Sequence, residues 1–294
     1  MKNDAMSEGV LWKCISFRSS KALKLSGMLA DAGAKMTVIH VHGACGNYFS
    51  AGYIDALATA CLRARINFLT INTSGHDCIA EGYRGDSYEY VGGSISNFSE
   101  CVDDITGAID VARGFSDDIV LAGHSLGCDR IVHYARETHK GYPLVLISPC
   151  DSYRLHEIFL GGMGVEDHIR RLRQLVPRDK FELLPMKQYG IHNKSERYFI
   201  PVTRDTLLSI IDGPPFSQFR LDKPGSFRLQ NSCLVCIGGR DNLQTASAEE
   251  MFAYMSGHFG NCSNYLSPDG DHEFAGVEAQ LSAAVVRWIS NENG

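Results

Sequence analysis

Apolar residues in this chain come in two rhythms. Short, nearly continuous runs occur at 36–42 (MTVIHVH), 67–72 (NFLTIN), 118–122, 143–148 (PLVLIS) and 233–237. Their length and β-branched content predict buried strands. Between them, apolar residues return every three or four positions, over about 50–65, 98–113, 126–138, 244–256 and 275–290. That spacing predicts helices with one buried face; over 98–113 the face is Phe98, Val102, Ile105, Ala108, Ile109 and Ala112. Two early strands at 10–17 and 23–30 and another at 262–267 complete the set. Strand and helix in alternation predict an α/β fold with crossover helices.

Two stretches break the rhythm. Residues 73–97 are rich in Gly and Ser and read as a long loop, a feature of compact domains that is commonly functional. It carries His76, Asp77, Tyr83, Arg84, Tyr88 and Tyr90; anchoring of the loop is their expected role, with tyrosine stacking on a ligand as the alternative. Residues 151–228 alternate helix-like and polar segments and are proline-rich, which predicts an insertion. The core is then 1–150 with 229–294. The chain has no internal repeat and no low-complexity tract.

Composition narrows the function classes. Of 294 residues, 44% are hydrophobic and 21% charged, as in ordinary globular proteins. A net charge of −6 argues against nucleic acid as a partner. No apolar run approaches the ~18 residues of a membrane span. The segment MKNDAMSEGVLWK has no apolar core of the kind a signal peptide needs, so a cytoplasmic protein is expected. Ten cysteines are scattered, mostly within apolar runs, and read as buried thiols. Cys233 and Cys236 form a C-x-x-C, but three residues apart on a strand they point to opposite faces, against a redox or zinc pair.

The sharpest chemical signal is LAGHSLGCDR at 121–130, where Ser125 stands between Gly123 and Gly127. G-x-S-x-G recurs by chance; its context distinguishes it here, because a strand ends and a helix begins at the serine. Such a turn leaves no room for side chains two residues away and exposes a hydroxyl at a helix N-terminus. The bland alternative is a Gly-rich turn with a capping serine. A serine needs a base, and a base needs an orienting carboxylate. His272, in the polar loop SPDGDHEFAG, is the candidate base; His258, at a helix end, suits a capping role. Asp241 follows the strand LVCIGG and is the candidate acid, with Asp151 as runner-up, while Asp271 suits loop capping. The N–H groups of Leu126 and of Ala44, in HGACGN, are the candidate oxyanion donors. His42 is expected to support that loop, and Cys45 lacks a base partner.

With these pieces placed, the chain resembles the α/β-hydrolase superfamily. HGACGN, GHSLG, GGRDN and GDHEF carry the resemblance, in that order, over about 25–290. NTSGHD at 72–77 and SPCD at 148–151 are similar to stretches of a bacterial branch distantly related to siderophore esterases and to a hydrolase-like enzyme of peptide natural-product pathways. The resemblance implies a mostly parallel eight-stranded sheet with helices on both faces. It implies Ser125, Asp241 and His272 at strand carboxyl ends, and 151–228 as a largely helical lid. It also implies a hydrolase that needs no cofactor or metal and acts on a small acyl substrate; the family cleaves esters, thioesters, lactones or amides, and an ester, thioester or lactone is expected here. A non-hydrolytic enzyme on the same scaffold (acyltransferase, cyclase or epimerase) and a non-catalytic binding protein remain as alternatives.

The insertion holds 13 Lys and Arg against 10 Asp and Glu, among them Arg170, Arg171, Arg173, Arg178, Lys180, Lys187, Lys194, Arg197 and Arg204. These read as a solvated face with salt pairs, an attraction for anionic substrates being the alternative. Phe159, Leu160, Met163, Phe216 and Phe219 read as packing within the lid, with an acyl pocket as the alternative.

Overall fold

A computed structural model describes residues 9–160, 164–184, 201–223 and 227–292. Met163, Lys187, Lys194 and Arg197, and the side chain of Phe159, lie outside the described residues.

Eight strands form one sheet: β1 (Trp12–Arg18), β2 (Lys24–Ala30), β3 (Met36–Val41), β4 (Asn67–Ile71), β7 (Asp118–His124), β8 (Leu144–Ile147), β9 (Leu229–Gly238) and β10 (Phe259–Ser267). Their order is β1-β2-β4-β3-β7-β8-β9-β10. β1 and β2 pair antiparallel, as do β2 and β4; every other pairing is parallel. The chain crosses from β3 outward to β4 on one side and then back to β7 on the other. β3 and β7 therefore flank a switch point, where the crossover loops part and leave a crevice at the strand carboxyl ends.

Side-chain alternation assigns the two faces. Ile39, Leu69, Leu121, Leu144, Leu146 and Val235 meet α2 (Cys101–Ala112), α3 (Leu126–Thr138) and α8 (Ala248–His258). Val38, Phe68, Val120, Val145, Ile147 and Leu234 meet α1 (Ile54–Arg63) and α9 (Glu278–Glu292). Both faces are covered, which is why the central strands read as continuous apolar runs. Cys233 belongs to the first face and Cys236 to the second.

The stretch 73–97 is more ordered than a loop. It contains an antiparallel hairpin, β5 (Ala80–Arg84) and β6 (Ser87–Val91), in register from Ala80–Val91 to Arg84–Ser87. Its Gly and Ser content hid a period-two alternation too short to be read against the turn residues around it. Between β8 and β9 lie α4 (Ser152–Phe159), α5 (Val165–Gln174), α6 (Arg204–Ile211) and α7 (Pro215–Gln218). Leu160, Val165, Leu172, Leu207 and Phe216 build a separate small core there. Phe219 is instead buried in the main core. No helix among the described residues is long and apolar enough to cross a membrane.

Candidate active site

β7 ends at His124 and α3 starts at Leu126, so Ser125 is the whole turn. Its φ of 52° and ψ of −124° are strained for a residue with a Cβ. Neither flanking glycine has an alternative. A Cβ on Gly123 would lie 2.4 Å from the Gly127 carbonyl oxygen, and one on Gly127 would lie 2.2 Å from that of Val41. Ser125 lines a cavity of about 270 Å³, as do Ala44 and Leu126. Among the described residues, neither the Ala44 nor the Leu126 N–H has an acceptor. For Leu126 this follows from its place in the first turn of α3.

His272 sits on the loop after β10, and Asp241 on the loop after β9. His272 Nδ1 donates to Asp241 Oδ2 at 2.9 Å, and both side chains are buried. The other Asp241 oxygen accepts the Leu243 N–H at 2.9 Å, and Gln244 Nε2 donates to Oδ2 at 3.1 Å. Burial works to raise the Asp241 carboxyl, but the hydrogen bond and charge of His272, with these two donors, hold it below the usual carboxylate range. Asp151 is elsewhere: it caps α4 through the Arg154 N–H at 2.8 Å and takes the Leu221 N–H at 3.0 Å. Asp271 caps its own loop through the Glu273 and Ala275 N–H groups. His258 donates to the Tyr254 carbonyl within α8.

No hydrogen bond joins Ser125 to His272 among the described residues; in unliganded sites this bond is commonly long and tightens on binding. The connection runs through the backbone. The His272 carbonyl accepts from His124 Nε2 at 3.0 Å and from Ser148 Oγ at 2.9 Å. His124 precedes Ser125, and its ring lies 5.0 Å from that of His272.

The HGACGN loop is braced from behind. His42 is buried; its Nδ1 donates to the Gly43 carbonyl at 2.8 Å and its Nε2 accepts the Thr73 N–H at 3.2 Å. Burial, with the charge of Arg130, holds its pKa well below the ordinary value, which suits a fixed neutral ring. Burial pushes the Cys45 thiol up to about 12, which makes it a poor nucleophile. Thr73, Ser74 and Gly75 of NTSGHD also line the cavity. Asp104 on α2 pins that loop, accepting the Ser74 N–H at 2.7 Å and Oγ–H at 2.8 Å. Tyr83, Tyr88, Tyr90 and Phe181 pack edge to face in succession at the surface, outside the cavity. Arg154, Arg170, Arg173, Arg178, Arg204 and Arg220, all between β8 and β9, each pair with a carboxylate of that same stretch.

Ligand atoms of Cys150, Asp241 and His272 lie within 4.8 Å of one another. Their bonding is accounted for without an ion: the acid and imidazole hold each other, and burial raises the Cys150 thiol well above its ordinary range. Sequence reasoning missed His124, Ser148, Gln244 and Arg130. His124 and Ser148 stand inside GHSLG and SPCD, but their bonding depends on contacts far along the chain.

No protein-family model matches the sequence, and no curated protein does. Solved structures do match. Est1E from Butyrivibrio proteoclasticus, solved with ferulic acid, is 16% identical, covers 94% of this chain and 98% of its own, and has a TM-score of 0.62. The esterase Pf2001 of Pyrococcus furiosus is 15% identical over 97% of this chain and 92% of its own, with a TM-score of 0.62. Mouse alpha/beta hydrolase domain-containing protein 10 is 13% identical over 95% and 99%, with a TM-score of 0.63.

Proposed function

We propose that this chain, which has the α/β-hydrolase fold, is a serine esterase that cleaves a carboxylic ester, thioester or lactone. The observation that carries the reading is the buried Asp241–His272 pair at 2.9 Å, on a loop tied to the strand end that bears Ser125. Asp241 fixes the His272 tautomer, so that Nε2 is the basic nitrogen. His272 takes the Ser125 proton as the hydroxyl attacks the acyl carbonyl. The N–H groups of Leu126 and Ala44 receive the oxyanion, a contribution of about 3 kcal/mol for each donor. Collapse releases the alcohol, protonated by His272, and leaves an acyl-enzyme. Water, deprotonated by His272, then releases the acid and restores Ser125. Residues 151–228 act as the lid: Val202, Leu207, Ile210 and Phe216 form part of the cavity wall, which supports that role. The protein is read as cytoplasmic and free of cofactor.

The test is labelling with a fluorophosphonate probe and turnover of p-nitrophenyl esters from C2 to C12. Wild type labels and turns over, and Ser125→Ala does neither. An unlabelled, folded wild type removes the serine-esterase reading.

A further inference from the structure

Arg130 lies on α3, five residues after Ser125, and is only 4% exposed. Burying a guanidinium is costly unless a counter-charge meets it. Here none does: among the described residues no carboxylate lies within ion-pair distance of it. One nitrogen, Nη1, donates to the carbonyls of His42 at 2.7 Å and Gly43 at 3.1 Å. Nη2 and Nε have no acceptor among the described residues.

That unused edge belongs to the cavity. Arg130 lines it together with Ser125, and no Asp, Glu or Lys does so among the described residues. Gly75 leaves the edge open, since a Cβ there would stand 2.8 Å from Nη2. The rest of the wall is largely apolar (Phe98, Leu155, Ile210, Phe216), so a charge inside it is weakly screened. The nearest buried acids do not supply a full negative charge. Asp104 is bonded to Ser74, with burial pushing its carboxyl up to about 7; Asp129 is driven well above its ordinary range by burial.

We propose that the free edge of Arg130 receives a carboxylate of the substrate, so that the esterase selects esters bearing a free acid group. The proposal rests on the serine-esterase reading for its turnover but not for its binding site. The carbonyl of Gly43 is bonded to Arg130 on one side, while a Cβ on Gly43 would lie 3.2 Å from Ser125 Cβ on the other. Gly43 thus lies between the two side chains, an arrangement that fits an acid group and a scissile carbonyl carried by one small molecule. A planar guanidinium edge suits the two oxygens of a carboxylate.

Two matched pairs test this in wild type. Mono-p-nitrophenyl adipate against its methyl ester places the acid on the acyl side. 4-Butyryloxybutyrate against its methyl ester places it on the alcohol side. The expected result is at least a tenfold higher kcat/KM for the charged member of one pair, with the ratio collapsing toward one in Arg130→Gln. Equal or better turnover of the neutral member in both pairs overturns the proposal. This wild-type comparison stands even if Arg130→Gln does not fold. If Ser125 proves unreactive, calorimetry on Ser125→Ala with monomethyl adipate and dimethyl adipate reads the site directly. Binding of the monoanion alone, lost in Arg130→Gln, keeps the anion site while the esterase reading fails. Failure to bind the monoanion more tightly than the diester overturns it.

Discussion

Asp241 shows how much one carboxylate is asked to do. It fixes an imidazole, takes a backbone N–H and takes a side-chain amide, all while buried. Asp241→Asn keeps the volume but offers the wrong partner to Nδ1, so kcat for ester hydrolysis is expected to fall by about 10⁴. Steady-state kinetics at neutral pH, with circular dichroism to confirm an intact fold, check this. The acid's depressed pKa also fixes a sign: its contribution to stability is present above the unfolded value near 4 and is lost as pH falls through the lower folded value. The positions of Ser125, Asp241 and His272, each just past the end of a strand, were legible in the sequence because a polar or glycine-bearing stretch follows an apolar run at each. His124, Ser148 and Arg130 were not. Their bonds join residues 148, 124 and 88 positions apart, and no local pattern records such a contact.

Among the elements, α2 does more than cover the sheet. Asp104 faces inward from it and holds Ser74 by backbone and hydroxyl together. Its carboxyl, pushed up to about 7 by burial, keeps its proton in the folded state where the unfolded chain has lost it. The folded state then binds more protons between about pH 4 and 7, so this residue's contribution to stability falls as pH rises through that window. Asp104→Asn retains an acceptor for Ser74 without the titration. Urea midpoints measured from pH 4.5 to 8 are expected to fall less steeply in the variant than in wild type. The strand and helix order was legible from apolar rhythm alone, whereas the β5–β6 hairpin was not. Five-residue strands around a Gly-Asp turn give too few apolar positions to outweigh the turn formers.

At the scale of the whole molecule, the main sheet is sealed on both faces while the helices between β8 and β9 pack around a core of their own. Fewer layers stand behind each amide there, so opening of that unit costs less than global unfolding. Native-state hydrogen exchange is expected to find the amides of α5 and α6 less protected than those of β3, β7 and β8. A mostly parallel eight-stranded sheet with helices on both faces was expected from the sequence; the order of its strands needed their pairing, which joins residues far apart along the chain. One junction ties the ends of three strands together: the carbonyl of His272, clasped by the residue that ends β7 and by the serine that follows β8. Because the loop is gripped by its main chain, its imidazole is a detachable part. In His272→Ala the loop keeps its course and leaves a vacancy shaped for the missing ring, beside an Asp241 still ready to orient it. Free imidazole in the buffer is then expected to restore part of the lost ester turnover, saturating with concentration, while N,N-dimethylated imidazolium restores none.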